Sequence, residues 1–314
     1  MIAFGPVPSR RLGRSLGVNN IPPKVCTYSC IYCQLGRTIK MQVKRQPFYE
    51  PEDVLRDVQE KVTQAGEAVE PVNYLTFVPD GEPTLDVNLG REIALLRPLG
   101  IKIAVITNSS LIWHADVRAA LAQADWVSVK VDATREEVWH KVDRPHGSLK
   151  LDAILDGLLE FASVYTGELV TETMLVAGVN DDDALLSEVA GFLGRLRPAV
   201  AYLSIPTRPP AEEWVRPPDE GTIVRAHQIF SGSVTRAEYL IGYEGNKFAF
   251  TGNVEDDLLS ITSVHPMREE AVDEFLARAG ADRSIVRGLV ARGRLVETQY
   301  DGYRFYVRKF YRGG

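Results

Sequence analysis

Cys26, Cys30 and Cys33 are the only cysteines of a 314-residue chain, and they share one stretch of eight residues, "CTYSCIYC", with Tyr28 and Tyr32 between them. Disulfide bonding is a poor use for them, because an odd number of thiols this close together cannot form a framework and the rest of the chain offers no partner. As thiolates at Cys-x3-Cys-x2-Cys they can converge on one soft metal centre, but they supply three ligands where zinc normally takes four. Two chemistries remain. A cubane iron–sulfur cluster held by three thiolates leaves one iron open to a reacting group. A structural zinc would instead recruit a distant His114, His140, His146, His227 or His265.

The charge pattern bears on what reaches such a centre. Residues 1–49 contain eight Lys and Arg and no Asp or Glu, and residues 283–314 contain eight basic and two acidic residues. The overall net charge is −6, so residues 50–282 carry −20. Arg10, Arg11 and Arg14 precede the cysteines, Arg37, Lys40, Lys44 and Arg45 follow them, and with Lys24 they would form a positive funnel for an anionic substrate. RNA, a nucleotide-like molecule or a phosphorylated metabolite fits that description. The acidic middle would repel a long polyanion except at the two basic ends. "MIAFGPVPSRRLG" has no apolar leader region, and no run approaches the roughly 18 apolar residues of a membrane span. With reduced thiols, this sets the expectation of a soluble, cytoplasmic protein.

The elements that must position these residues are legible as β-rich runs alternating with amphipathic stretches, the pattern of βα units around a parallel sheet. "NYLTFV" (73–78), "IKIAVIT" (101–107), "DWVSVKVD" (125–132), "LVTETMLVAGV" (169–179), "AVAYLSIP" (199–206) and "AEYLIGY" (237–243) read as strands. Helices are expected in "EPEDVLRDVQEKVTQAG", with Val54, Val58 and Val62 at i+4 spacing, and in "SLKLDAILDGLLEFASVYTG". The α/β class and six strands suggest a partial (β/α)6 barrel over residues 1–250. "PTRPPAEEWVRPPDEG" (206–221) reads as a long surface loop. Residues 251–314 are expected to form a small winged-helix-like module of two short helices and a hairpin turning at Asp301-Gly302. Its Arg283, Arg287, Arg292, Arg304, Arg308 and Lys309, interleaved with Tyr300, Tyr303, Phe305 and Tyr306, suit nucleic acid; equally, the aromatics could be the module's own core.

Cys-x3-Cys-x2-Cys with an aromatic directly before the last cysteine resembles the signature of the radical S-adenosylmethionine (SAM) superfamily. The resemblance implies a [4Fe-4S] cluster on Cys26, Cys30 and Cys33, its fourth iron chelated by the amino and carboxylate groups of SAM. It implies reductive cleavage of SAM to a 5′-deoxyadenosyl radical that abstracts hydrogen from a substrate, with an electron donor such as flavodoxin or ferredoxin as partner. "PDGEPTL" (79–85) resembles the family's Gly-Gly-Glu-Pro motif with Asp80 at the first glycine, which places Gly81, Glu82 and Thr84 at SAM. "ITNSS" (106–110) resembles the Thr-Asn-Gly end of a strand, with Ser109 for glycine, and brings Asn108 to the cofactor pocket. Ser128, Lys130 and Asp132 share one face of their strand by its period of two, and ribose hydroxyls or the SAM carboxylate would serve them, as would an internal Lys130–Asp132 ion pair. Glu172 and Asn180 lie where the family's fifth strand approaches the pocket. The opening "FGPVPSRRLGRSLGVNNIPPKVCTYSCIYCQLG" is similar to the wyosine-synthase-like group, which builds a tricyclic base on tRNA; the further cysteines of that group's second cluster are missing here. The competing expectation is a non-catalytic, metal-stabilised nucleic-acid-binding or regulatory module.

Overall fold

In the computed structural model, residues 2–67, 71–241, 245–246, 248, 250 and 252–309 are described. The chain opens with a hairpin of β1 (Ala3–Ser9) and β2 (Gly13–Val18), followed by β3 (Val25–Cys26) and β4 (Lys40–Met41), which pair in parallel and close the base of the cysteine loop. After α1 (Pro51–Glu67) come β5 (Tyr74–Phe77), α2 (Leu89–Leu96), β6 (Lys102–Thr107), α3 (Ala115–Leu121) and β7 (Trp126–Lys130). Two helices, α4 (Glu136–Val142) and α5 (Leu151–Val164), then lead to β8 (Glu168–Met174), α6 (Asp183–Leu196), β9 (Val200–Ser204), α7 (Glu220–Ser231) and β10 (Ala237–Leu240). The last part is α8 (Val254–Val264), β11 (Met267–Arg268), α9 (Glu269–Arg278), α10 (Ser284–Ala291), β12 (Leu295–Tyr300) and β13 (Tyr303–Arg308).

All six expected strands are present and run parallel, in the order β5-β6-β7-β8-β9-β10. Residues 242–243 of the last expected strand lie outside the described residues. Two strands the sequence reading left as a charged flank extend the sheet: β2 pairs in parallel with β5, and β1 lies antiparallel at the edge. The sheet is therefore an open, eight-stranded partial barrel. Alternation explains its two faces. Val127 and Val129 of β7 join the main core that packs the sheet against its helices, while Trp126 turns inward to a small apolar layer with Leu12, Ala104, Val170 and Val200. Above that layer the same inner face becomes polar, with Lys130, Glu172 and Ser204.

Two expectations need amendment. Residues 205–219 form no helix or strand, as expected of a loop, but Pro206, Glu212, Val215 and Pro218 are buried. The amide of Glu212 donates to Ile31 O at 3.1 Å, and its carboxylate takes Arg37 (2.9 Å) and Arg144 (2.5 Å), so this segment straps the cysteine loop. The C-terminal part has the expected helix, helix, hairpin order, with Asp301 and Gly302 at φ of 49° and 77°, as a two-residue turn requires. It also contains a further helix, α8, ahead of those elements, and its core of Phe248, Leu258, Phe275, Leu289 and Tyr306 receives Val7 of β1. Arg283 pairs with Asp273 and Glu269, Arg292 with Glu255, and Arg304 with Glu269. Phe305 and Tyr306 are buried.

Candidate active site

The two tyrosines between the cysteines are anchors. Tyr28 is buried, its ring meets Trp139 edge-on at 5.8 Å, and its hydroxyl accepts from Trp139 Nε1 at 3.1 Å. Tyr32 donates its hydroxyl to Asp132 and to Asp143 (3.2 Å), and Lys130 Nζ stands 4.7 Å from its ring centroid. Cys30 Sγ lies 3.3 Å from Asp143 Oδ1, and Asn108 Nδ2 lies 3.5 Å from Cys26 Sγ. The loop is thus pinned to α4, to Asp143 at its end and to Asp132 just beyond the end of β7 by the tyrosines that alternate with its thiols.

Glu82 organises the turn after β5. Its carboxylate accepts from Thr84 N (3.0 Å), Thr84 Oγ1 (2.6 Å), Thr107 Oγ1 (2.7 Å) and Asn108 N (2.7 Å), joining this turn to the end of β6. Burial still holds its pKa above the usual carboxylate range, against those four donors. Gly81 is needed for close approach, since a Cβ there would sit 1.9 Å from Val25 O on the strand that leads into Cys26. The Asp80 carbonyl accepts from Lys24 N at 2.5 Å and the Glu82 amide donates to Val25 O at 3.2 Å, so turn and cysteine loop are one hydrogen-bonded unit.

These elements enclose a cavity of about 390 Å3 at the carboxyl ends of the parallel strands, lined by Cys26, Cys30 and Cys33 together with Gly81, Glu82, Asn108 and Lys130. That volume is in the range of small-molecule and cofactor sites. The other expected site residues lie behind its wall. Thr84 serves Glu82; Ser128 accepts from Arg11 at 3.2 Å; Asp132 accepts from Tyr32 and from Met174 N (2.7 Å). Asn180 spends its amide on Asp132 O (3.0 Å), Met174 O (2.8 Å) and Val176 N (2.8 Å). Lys130 pairs with Glu172 at 3.3 Å and, more weakly, with Asp132 at 4.0 Å. Burial alone would raise the pKa of Glu172, but Lys130, Arg11 and the Ser204 hydroxyl hold it well below the usual range, so it is a fixed anion.

Of the eight head cations, Arg10, Arg11 and Lys24 line the cavity; Arg37 and Arg45 are turned to Glu212 and Asp116. Several lining residues had no sequence signal as site residues. Gln34 Nε2 donates to Val264 O at 2.8 Å and Gln34 also accepts from Arg208, whose other nitrogen lies 3.2 Å from His265 Nε2. Val264 and His265 thereby bring the end of α8 onto the cavity. Of these, only His265 is singled out by the sequence, as a candidate zinc ligand.

The donor set fits an iron–sulfur cluster better than a single ion. Three soft sulfur donors, Cys26, Cys30 and Cys33, stand on the wall of one cavity, a donor set suited to an iron–sulfur cluster. His265, the one candidate zinc-ligand histidine on the cavity wall, is bonded to Arg208 instead. Burial, with the Glu82 charge, pushes the Cys26 thiol up to about 12, and burial raises Cys30 and Cys33 as well. Metal uptake must therefore release protons from this loop.

A parallel partial barrel that presents a three-cysteine loop and a "DGEP" turn at its carboxyl-end cavity defines a class of iron–sulfur enzymes that use SAM. Residues 20–187 match the Radical SAM superfamily, and the chain belongs to that family and is a radical SAM enzyme. It is 47% identical to UPF0026 protein MJ1312 of Methanocaldococcus jannaschii over 309 residues, covering 98% of this chain and 96% of that protein. Its fold is similar to that of TYW1 with a lysine-pyruvate adduct bound, at a TM-score of 0.54 and 18% identity over 70% of this chain and 74% of that one. A radical SAM methyltransferase from Sphaerobacter thermophilus is similar at a TM-score of 0.55 and 18% identity, over 72% and 66% of the two chains. No helix among the described residues is long and apolar enough to cross a membrane.

Proposed function

We propose that Cys26, Cys30 and Cys33 hold a [4Fe-4S] cluster, that SAM binds beside it against Gly81, Glu82 and Asn108, and that the substrate is a small anion. The observation that carries this reading is the meeting of all three thiols and the "DGEP" turn on one cavity. When bound, the cluster and SAM together would supply a 5′-deoxyadenosyl radical, formed with one electron from a donor such as flavodoxin or ferredoxin, and that radical would take a hydrogen atom from the substrate. The chain's own work is placement. Tyr28 and Tyr32 fix the loop, Glu82 fixes the turn, and Lys130 with Glu172 supplies a rigid charged floor. Residues 1–250 are the catalytic core in this reading, and residues 251–314 a module whose Val264 and His265 close the cavity. Three free thiols and the proposed cluster support a reducing compartment, the cytoplasm, in this reading.

A small anion is supported by the lining, which contains Arg10, Arg11, Lys24, Lys130 and Arg208 against Asp80, Glu82 and Glu172. RNA is less supported, because Arg283, Arg292 and Arg304 of the C-terminal module are engaged with its own carboxylates. The test is anaerobic reconstitution. About four irons and four sulfides per chain, and 5′-deoxyadenosine formed from SAM under strong reduction, are expected for the wild type. Cys26→Ala, Cys30→Ala and Cys33→Ala should each lose both while remaining folded. Full iron in any single variant would remove that cysteine from the ligand set, and one zinc per colourless chain would overturn the reading. RNA affinity falling with salt by a log–log slope of roughly 0.7 to 0.9 per phosphate contact would restore the nucleic-acid substrate.

A further inference from the structure

Of the cations that the sequence gathers around the cysteines, Lys40 and Lys44 are not used by the cavity. Neither lines it, and among the described residues neither is paired with a carboxylate. Arg37 and Arg45 of the same stretch are engaged by Glu212 and Asp116. Both lysines are exposed, and beside them Ile39 and Met41 are 49% and 37% exposed. With no Asp or Glu before Glu50, this stretch is a basic surface with an apolar centre.

Its position gives that surface a use. β4 pairs in parallel with β3, Met41 opposite Cys26 and Lys40 opposite Val25, and the Gln42 amide donates to Cys26 O at 3.1 Å. Paired strands lie about 4.8 Å apart, so a molecule resting on Ile39 and Met41 is one strand away from the main chain of Cys26. In the proposed function SAM and substrate take the cavity side of the thiols. β4 offers an approach to the same loop that does not enter the cavity.

We infer that Ile39, Lys40, Met41 and Lys44 form the docking surface for the protein that delivers the electron, an acidic one-electron carrier. This rests on the cluster reading of the proposed function. One electron leaves the carrier, which is oxidised, and is taken up at the centre held by the three thiols, which is reduced; no atom is transferred. Charge complementarity selects an acidic partner, and steering by surface charge raises encounter rates by roughly 10- to 1,000-fold at low salt. A protein fits better than RNA. Exposed Ile and Met suit the desolvated centre of a protein interface, whereas single-stranded RNA stacks its bases on aromatic rings, and residues 37–47 contain none.

The experiment compares reconstituted full-length wild type with the double variant Lys40→Glu, Lys44→Glu and with Ile39→Asp, after iron content and reduction by dithionite have been measured for each. Reduction by flavodoxin hydroquinone and by a reduced acidic ferredoxin is followed by the electron paramagnetic resonance of the reduced centre. Rates are taken at about 0.01 M and about 1 M salt, between which the screening length falls from roughly 30 Å to 3 Å. The wild type should be reduced by at least one carrier, faster at low salt. The double variant should lose at least about tenfold at low salt and approach the wild type at high salt, while Ile39→Asp should be slower at both. Dithionite should reduce all three proteins alike. Equal carrier rates in the three proteins overturn the inference, as does a wild type that dithionite reduces and neither carrier does. Binding of tRNA that the double variant loses would assign the surface to nucleic acid and also overturn it. An iron-free preparation would refute the cluster and not the surface, because the affinity of oxidised flavodoxin for that protein still reads it: weaker binding by the variants at low salt supports the surface, and equal binding removes it.

Discussion

Removing the Glu82 carboxylate should unfasten the turn from β6 before it affects any chemistry. Its two oxygens accept four hydrogen bonds of 2.6–3.0 Å at a residue that is 1% exposed. In Glu82→Ala the hydroxyls of Thr84 and Thr107 can rotate toward other acceptors, but the amides of Thr84 and Asn108 cannot. Each buried amide left unmatched costs about 1–3 kcal/mol, so the two together cost about 2–6 kcal/mol. Relief from burying a charge, visible in the raised pKa of Glu82, offsets part of this. The expected net loss is therefore about 2–4 kcal/mol. Glu82→Gln keeps one acceptor but turns an NH2 toward one of those donors, and should fall between the two. The assay is urea unfolding of iron-free protein followed by tryptophan fluorescence, which excludes any contribution from bound cofactor. If Glu82→Ala unfolds within about 0.5 kcal/mol of the wild type while SAM affinity collapses, the carboxylate is a ligand and not a latch, and the reasoning is wrong.

Three further outcomes are expected. Gly81→Ala, whose Cβ would lie 1.9 Å from Val25 O, should displace the strand that carries Cys26 and lower the iron retained per chain by more than half; undiminished iron would show that the contact does not position the loop. Tyr32→Phe keeps the ring on Lys130 but deprives Asp132 and Asp143 of a donor, and should cost about 1–3 kcal/mol, read in the same unfolding assay and refuted by a loss below about 0.5 kcal/mol. Burial raises Glu92 to about 9 and Asp86 to about 6, so between about pH 4 and 9 the folded chain holds protons that the unfolded chain releases. Stability should accordingly fall as pH rises, by at most about 1.4 kcal/mol per unit for each such group; Glu92→Gln, which removes the buried carboxylate whose pKa burial and Asp86 raise, should flatten that slope.

The cysteine spacing, the parallel strands and the C-terminal hairpin were legible from the sequence because each rests on neighbours in the chain. Three thiols within eight residues share one loop whatever surrounds them, alternation along a strand names its two faces, and Asp301-Gly302 turns a hairpin locally. What fills the space opposite a face is not local. Ser128, Asp132 and Asn180 were placed on the correct strands and strand ends, yet their polar groups are met by Arg11, Tyr32 and backbone carbonyls, and so they stand behind the cavity. The head read as a charged flank became the sheet edge because β2 has the register to pair with β5, and its hairpin tip sends Arg11 to Glu172, 161 residues away. Gln34 meets Val264 across 230 residues, which turns an apparently separate C-terminal module into a wall of the cavity. Periodicity encodes the direction in which a side chain leaves its strand; only the register and closure of the sheet decide which distant group it meets, because that depends on every intervening connection at once.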